Sequence, residues 1–290
     1  MDAALPILDT PHTGGWLATL RLGLASRAGR TVLVERRHSG PLKVQKPLYP
    51  EPDPGICHLT LLHPPGGLAS GDTLSVALSL AKGAHAVVTT PGATKWYKAS
   101  PAWPSRQTLT LRVGDGARLD WLPLENIYFD HSQARQHTDI HLGRGATALG
   151  WDAALLGRQA AGEAWAAGQI SGDVRLLSED GRLLWAERQR LRAGSGLRQA
   201  PQGLAGLAAY GTLWAAGAAC TAALAEALAP ALPFDEGLRA GATSPVPGVL
   251  IVRAAAAHIE PLRNLFAALW LRLRPLVHGV PGRPLRLWAT

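Results

Sequence analysis

The chain has 290 residues, 47% of them apolar, with a mean hydropathy of +0.04, a net charge of +8 and a pI near 10.1. This excludes a disordered linker, because there is apolar material for a large core, and it excludes a disulfide-framed scaffold, because Cys57 and Cys220 lie far apart with no CxxC. The arginines are scattered except for a cluster over residues 182–198, so the charge reads first as a solvated arginine-rich surface and second as a footprint for nucleic acid.

The opening residues 1–16 lack a basic stretch followed by an apolar run, which argues against a secretory leader and for a reducing, cytoplasmic setting. The stretch ICHLTLLHPPGGLASGDTL (56–74) alternates, so Cys57, Leu59, Leu61 and His63 share one strand face and His58 takes the other. Cys57 and His63 would stand about 20 Å apart when extended, too far to share one ion. Pro64 and Pro65 end the strand, Gly66 and Gly67 turn the chain, and Asp72 precedes the next strand. That strand, TLSVALSL, puts Leu74, Val76, Leu78 and Leu80 on one face, and QTLTLRV repeats the pattern with Leu109, Leu111 and Val113.

A weak repeat accompanies these strands. LSLAKGAHAVV, LRVGDGARLDW and IHLGRGATALG carry Gly-Ala at Gly83, Gly116 and Gly145, a period of roughly thirty residues that suggests stacked sheets or a β-solenoid, with a plain run of hairpins in a sandwich as the alternative that the repeat alone leaves open. LASRAGRTVLV and LLSEDGRLLWA are looser versions without the alanine. Residues 207–225 carry no charge, but they are rich in Ala and broken by Gly211 and Gly217, so they read as a buried strand followed by a helix rather than a membrane span. TAALAEALAPAL and HIEPLRNLFAALWLRLRPL have helical periodicity, the second with a stripe of Leu262, Leu265, Phe266, Leu269 and Leu273; PGVLIVRAAA is a strand between them. The prediction is a mainly β, solenoid-like stack of sheets forming one domain over 1–290. It has a β body to residue 205 and a small α/β end-piece with two helices over 206–290.

Three features carry candidate chemistry. In QHTDIHLG, His137, Asp139 and His141 share a strand face and could together hold a divalent ion, which would suit a metal-dependent hydrolase; three solvated polar residues are the alternative. TTPGATKWYKAS (89–100) lacks GxxxxGK[ST], so no phosphate loop is present there. Asp152 in ALGWDAALLG and Glu187 in LLWAERQRL are acids among apolar neighbours, and a buried carboxylate needs an arginine, a raised pKa or a cation.

An ordered set of segments then becomes recognisable: GWLATLRL, RRHSGPLKVQKPLYPE, CHLTLLHPPGGLASGD, VTTPGATKWYKAS, LDWLPLENIYF, WDAALLGRQAAGE and RPLRLWAT. Together they resemble the urease accessory protein UreD (UreH) family over nearly the whole chain. Leu124 departs from the family's glutamine and Lys98 from its arginine. The resemblance implies a β-helix-like fold with a small α/β portion and a non-enzymatic scaffold with no tightly bound cofactor. It further implies binding to the urease apoprotein, to a UreF-type protein and, through it, to a UreG-type GTPase, with no nucleic-acid or membrane partner and with room for a dimer within the complex. Nickel is implied to pass through the scaffold by way of Asp72, Asp152 and Glu187, with Thr94 near the route.

Overall fold

The computed structural model describes residues 14–53 and 55–289; the reading of the first thirteen residues and the terminal Thr290 lie outside the described residues. A hairpin, β1 (Leu17–Arg27) and β2 (Arg30–Ser39), is followed by β3 (Lys43–Val44), β4 (Cys57–Leu62) and β5 (Gly67–Leu68). The chain then winds in coils: β6 (Thr73–Leu80), β7 (His85–Thr89) and β8 (Thr94–Trp96); β9 (Ser105–Val113), β10 (Arg118–Leu122) and β11 (Asn126–Tyr128); β12 (Ser132–Leu142) and β13 (Thr147–Leu156). A second hairpin, β14 (Gly168–Ser178) and β15 (Leu183–Arg192), precedes β16 (Ala209–Ala216), α1 (Ala222–Leu228), β17 (Leu238–Val246), β18 (Val249–Ala256) and α2 (Ile259–His278).

The fold is mainly β, built from solenoid-like stacked parallel sheets with two helices near the C-terminus. One sheet has seven strands in the order β15-β14-β12-β9-β6-β1-β2. The other has eleven, with β17-β18-β16-β13-β10-β7-β4-β3 as its path and β5, β8 and β11 paired alongside. The Gly-Ala repeats are the corners between the two sheets. Gly83, Gly116 and Gly145 have φ of 68°, 59° and 64°, and the alanine after each is buried. Corners stack directly: the Gly83 amide donates to the Asp115 carbonyl and the Gly116 amide to the Arg144 carbonyl, each at 2.9 Å. The looser repeats do something else. Gly29 and Gly181 turn hairpins whose second strands, β2 and β15, stay in the seven-stranded sheet and form its two edges. Alanine marks the corner because its side chain lies between the sheets, whereas Arg30 and Arg182, at the same place in the hairpins, are exposed.

Parallel register turns the alternating pattern into apolar rows. Leu22, Leu78, Leu111, Ile140 and Leu176 are neighbours across five strands, and all are buried. Each such side chain contributes about 1.5–3 kcal/mol of burial. Toward β15 the inward rows become polar: Val76, Leu109, Thr138, Val174 and Glu187 form one, and Leu74, Gln107 and Gln136 the next. The eleven-stranded sheet is covered on both faces, which is why β7 is buried at every position. Cys57 and Cys220 are both free and belong to the two different cores, on opposite sides of this sheet.

The chargeless stretch is β16 followed by α1, and among the described residues no helix is long and apolar enough to cross a membrane. Helix α2 buries Leu262, Phe266, Leu269 and Leu273 as its stripe predicts; Leu265 is only half-buried, and Trp270 completes the face. A polar seam runs beside that stripe. Asp120, on β10, accepts hydrogen bonds from Trp270 Nε1 at 2.7 Å and Arg274 Nε at 3.2 Å, with His85 and His278 each 3.3 Å away. Arg274 also grips Glu51 at 2.7 and 2.9 Å, and His58 meets Glu51 at 2.7 Å. Burial acts to raise the Asp120 carboxyl, but His278, His85 and Arg274 outweigh it and hold the group well below the usual carboxylate range.

Candidate functional site

Between the two sheets lies a cavity of about 1100 Å³, walled at one side by Leu42, Leu74, Val76, Leu109, Trp121 and Trp214. Its lining runs along the stack, from His63 after β4 to Arg239 and Phe234 beside β17. A string of polar side chains crosses this apolar space. Thr94 on β8 is the register neighbour of Asn126 on β11. Asn126 Oδ1 accepts from Trp96 Nε1 at 2.9 Å, which fixes the amide so that Nδ2 donates to Asp152 Oδ1 at 2.7 Å. Asp152, on β13, is the register neighbour of Thr212 on β16, and the Thr212 hydroxyl lies 3.3 and 3.4 Å from the two carboxylate oxygens of Glu187, on β15 of the opposite sheet. Arg253 of β18 closes the row, 3.3 Å from Glu187. Gln189 and Tyr210 make a parallel bridge between the sheets.

The two acids differ electrostatically. Asp152 is half-buried and lines the cavity between the two sheets. Burial first, and then the charge of Glu187, push it up to about 6, against the favourable bond from Asn126. Glu187 is steadied by Arg253, whose side chain reaches solvent. The arrangement offers oxygen donors at intervals through an apolar body, with one carboxyl poised to lose or take a proton near neutrality.

The structure thus brings Thr94, Asp152 and Glu187 to one cavity. Asp72 does not join them. It precedes β6, where one oxygen accepts from the Trp16 amide at 2.8 Å and the other from the Ala69 amide at 2.7 Å, so it ties the turn before β6 to the start of β1. His137, Asp139 and His141 share a face as strand parity predicts, but it is the outer face of the seven-stranded sheet. There Arg175 grips both oxygens of Asp139, at 2.7 and 2.6 Å, and stands where a metal ion would. Burial and the neighbouring Arg112 hold His141 below its ordinary pKa. Among the described residues no group of three or more His, Cys, Asp or Glu side chains is arranged to hold a metal ion, which removes the hydrolase reading. Asn126, Thr212, Gln189 and Tyr210 were not legible as site residues; Arg253, a lone charge in the apolar strand VLIVRAAA, was the available signal.

The chain is thus a β-helical body with a string of polar side chains between its two sheets. The family model of the UreD urease accessory protein matches residues 17–289. Curated relatives include the urease accessory proteins UreD of Cupriavidus pinatubonensis, 52% identical over 95% of each chain, of Delftia acidovorans, 46% identical over the full length of both, and of Bordetella pertussis, 42% identical over 95% of this chain and 98% of the relative. The chain belongs to the UreD urease accessory protein family; it is a maturation factor and not an enzyme.

Proposed function

We propose that this chain is the scaffold on which urease receives its nickel. It binds the urease apoprotein and a UreF-type protein, through which a UreG-type GTPase joins, and the assembly works in the cytoplasm. Nickel is cargo here, passed along the inter-sheet cavity rather than kept. The observation that carries this reading is the string of Thr94, Asn126, Asp152, Thr212 and Glu187 across a mostly apolar cavity whose walls include Leu74, Leu109, Trp121 and Trp214. A borderline divalent cation crossing an apolar body needs oxygen donors at intervals, and two carboxylates facing one another supply the charge. Asp72 does not line this cavity, so the route proposed here runs through Asp152 and Glu187. The absence of a phosphate loop in the sequence fits a division of labour in which the nucleotide belongs to a partner.

The test is reconstitution. Urease subunits are co-expressed with UreF-, UreG- and UreE-type partners, with and without this chain, and urease nickel content and urea hydrolysis are measured. Both should depend on the chain. The pair Asp152→Asn and Glu187→Gln should still co-purify with the partners while urease nickel falls at least about tenfold. Full nickel loading by the double variant would refute the passage and leave the scaffold standing; full loading without the chain would refute both.

A further inference from the structure

The outer face of the seven-stranded sheet lies opposite the face that carries Glu187 and Gln189, and it gathers charge. In the register rows, Arg21, Arg106, Arg112, Arg135 and Arg192 occupy outward positions on β1, β9, β12 and β15. Their guanidinium groups make no ion pair with any described residue, and all but the half-buried Arg106 are exposed. These five unpaired cations are a large share of the chain's net charge of +8. More telling is their placement. Arg106 is the direct cross-strand neighbour of Arg135, and Arg21 of Arg37. Like charges opposite one another on a sheet repel and are destabilising. Glu35 meets Arg37 at 3.5 Å and relieves that pair in part; Arg106 and Arg135 have no carboxylate partner among the described residues, and an anionic surface laid over the face would supply one.

From this we propose that the outer face of the seven-stranded sheet is a docking surface for the carboxylate-rich surface of a protein partner in the maturation assembly, an inference that rests on the scaffold reading. Seven strands at about 4.8 Å spacing and about 30 Å in length give roughly 850 Å², close to the ~800 Å² per partner of a standard protein interface. Both helices pack on the other sheet and leave this face open. The chemistry favours protein over nucleic acid. The outward positions between the arginines are Ser75, Thr108 and Thr110, with no Trp, Tyr or Phe on which bases could stack. Three carboxylates, Glu35 beside Arg37, Asp139 held by Arg175 and Asp173 held by Arg188, stand within the face and would repel phosphates, whereas a mixed-charge field with a net positive sign suits an acidic protein surface.

The experiment uses the full chain carrying Arg112→Glu and Arg135→Glu, with Arg118→Glu and Arg283→Glu as a control pair of exposed arginines elsewhere. Dissociation constants for purified urease apoprotein and for the UreF-type protein are measured across a salt series, with thermal midpoints of each isolated chain. The face pair should bind at least one partner about tenfold or more weakly at low salt, with a flatter salt dependence. Its thermal midpoint should stay equal to or above wild type, because Arg135→Glu sets a carboxylate opposite Arg106 where two cations now face each other. Under the same conditions the control pair should bind as wild type. Unchanged binding by the face pair, or an equal loss in the control pair, overturns the docking face and leaves the scaffold reading intact. If wild type binds neither partner, the scaffold reading fails and the face falls with it. Tighter retention of wild type on a short DNA duplex than on either partner, lost in the face pair, would overturn it in favour of nucleic acid.

Discussion

Asp152 is an acid held at a cost in stability. An unfolded aspartate titrates near 4, and this one is pushed up to about 6 in the fold. A raised folded pKa means that the native state holds the proton more tightly than the unfolded chain. Stability therefore falls as pH rises from about 4 to about 6 and stays lowered above that, by roughly 3 kcal/mol at most. Asp152→Asn keeps the acceptor for Asn126 and removes the charge. It should raise the thermal midpoint at pH 7.5 and leave it unchanged at pH 4, as calorimetry at the two pH values would reveal; an equal gain at both would assign the effect to packing. Asp72 is the contrasting case. The same residue type, found by the same resemblance, spends both oxygens on the Trp16 and Ala69 amides. Nothing in local alternation separates the two, because the distinction lies in what each carboxylate meets across the fold.

Among the elements, α2 carries the largest departure from its sequence pattern. Its apolar stripe was legible, but Arg274 was not, since an arginine near the end of a helix ordinarily reaches for solvent. Here it is fully buried, because Asp120 and Glu51 come from β10 and from a loop far away in sequence to meet it. Removing one partner from such a pair leaves an uncompensated buried charge. Asp120→Asn should therefore lower stability by about 3–5 kcal/mol in urea unfolding, and adding Arg274→Met should cost less than the sum of the two single changes. Acid should loosen the same seam. Burial acts to raise the Glu51 carboxyl, but His58 and Arg274 bring it down to about 2. Its contribution is thus present above about pH 4.3 and is lost as pH falls toward 2. The corners tell another story: the Gly-Ala repeat was legible in the sequence, but the structure was needed to separate the turns between sheets from the hairpins at the sheet edges.

On the scale of the whole molecule, the eleven-stranded sheet is the shared wall of two cores. It runs without a break from the coils into β16, β18 and β17, across the boundary that the change of texture near residue 206 suggests. Hydrogen exchange should follow this layout. Amides of β7, β10 and β13, flanked by paired strands and covered on both faces, should exchange slowest, and those of the edge strands β2 and β17 fastest. Faster exchange in β10 than in β2 would contradict the two-core arrangement.

Strand alternation, the Gly-Ala repeat, the α2 stripe and the family were all determined by the sequence alone, because each is written in neighbouring residues with a fixed period or in ordered segments. Only the tertiary structure decided which acids share a cavity, that Arg175 fills the place of a metal beside Asp139, that Arg274 is buried, and that scattered arginines line up on one sheet face. Those outcomes depend on register between strands distant in the chain, and register is set by how the coils stack rather than by any short stretch of sequence.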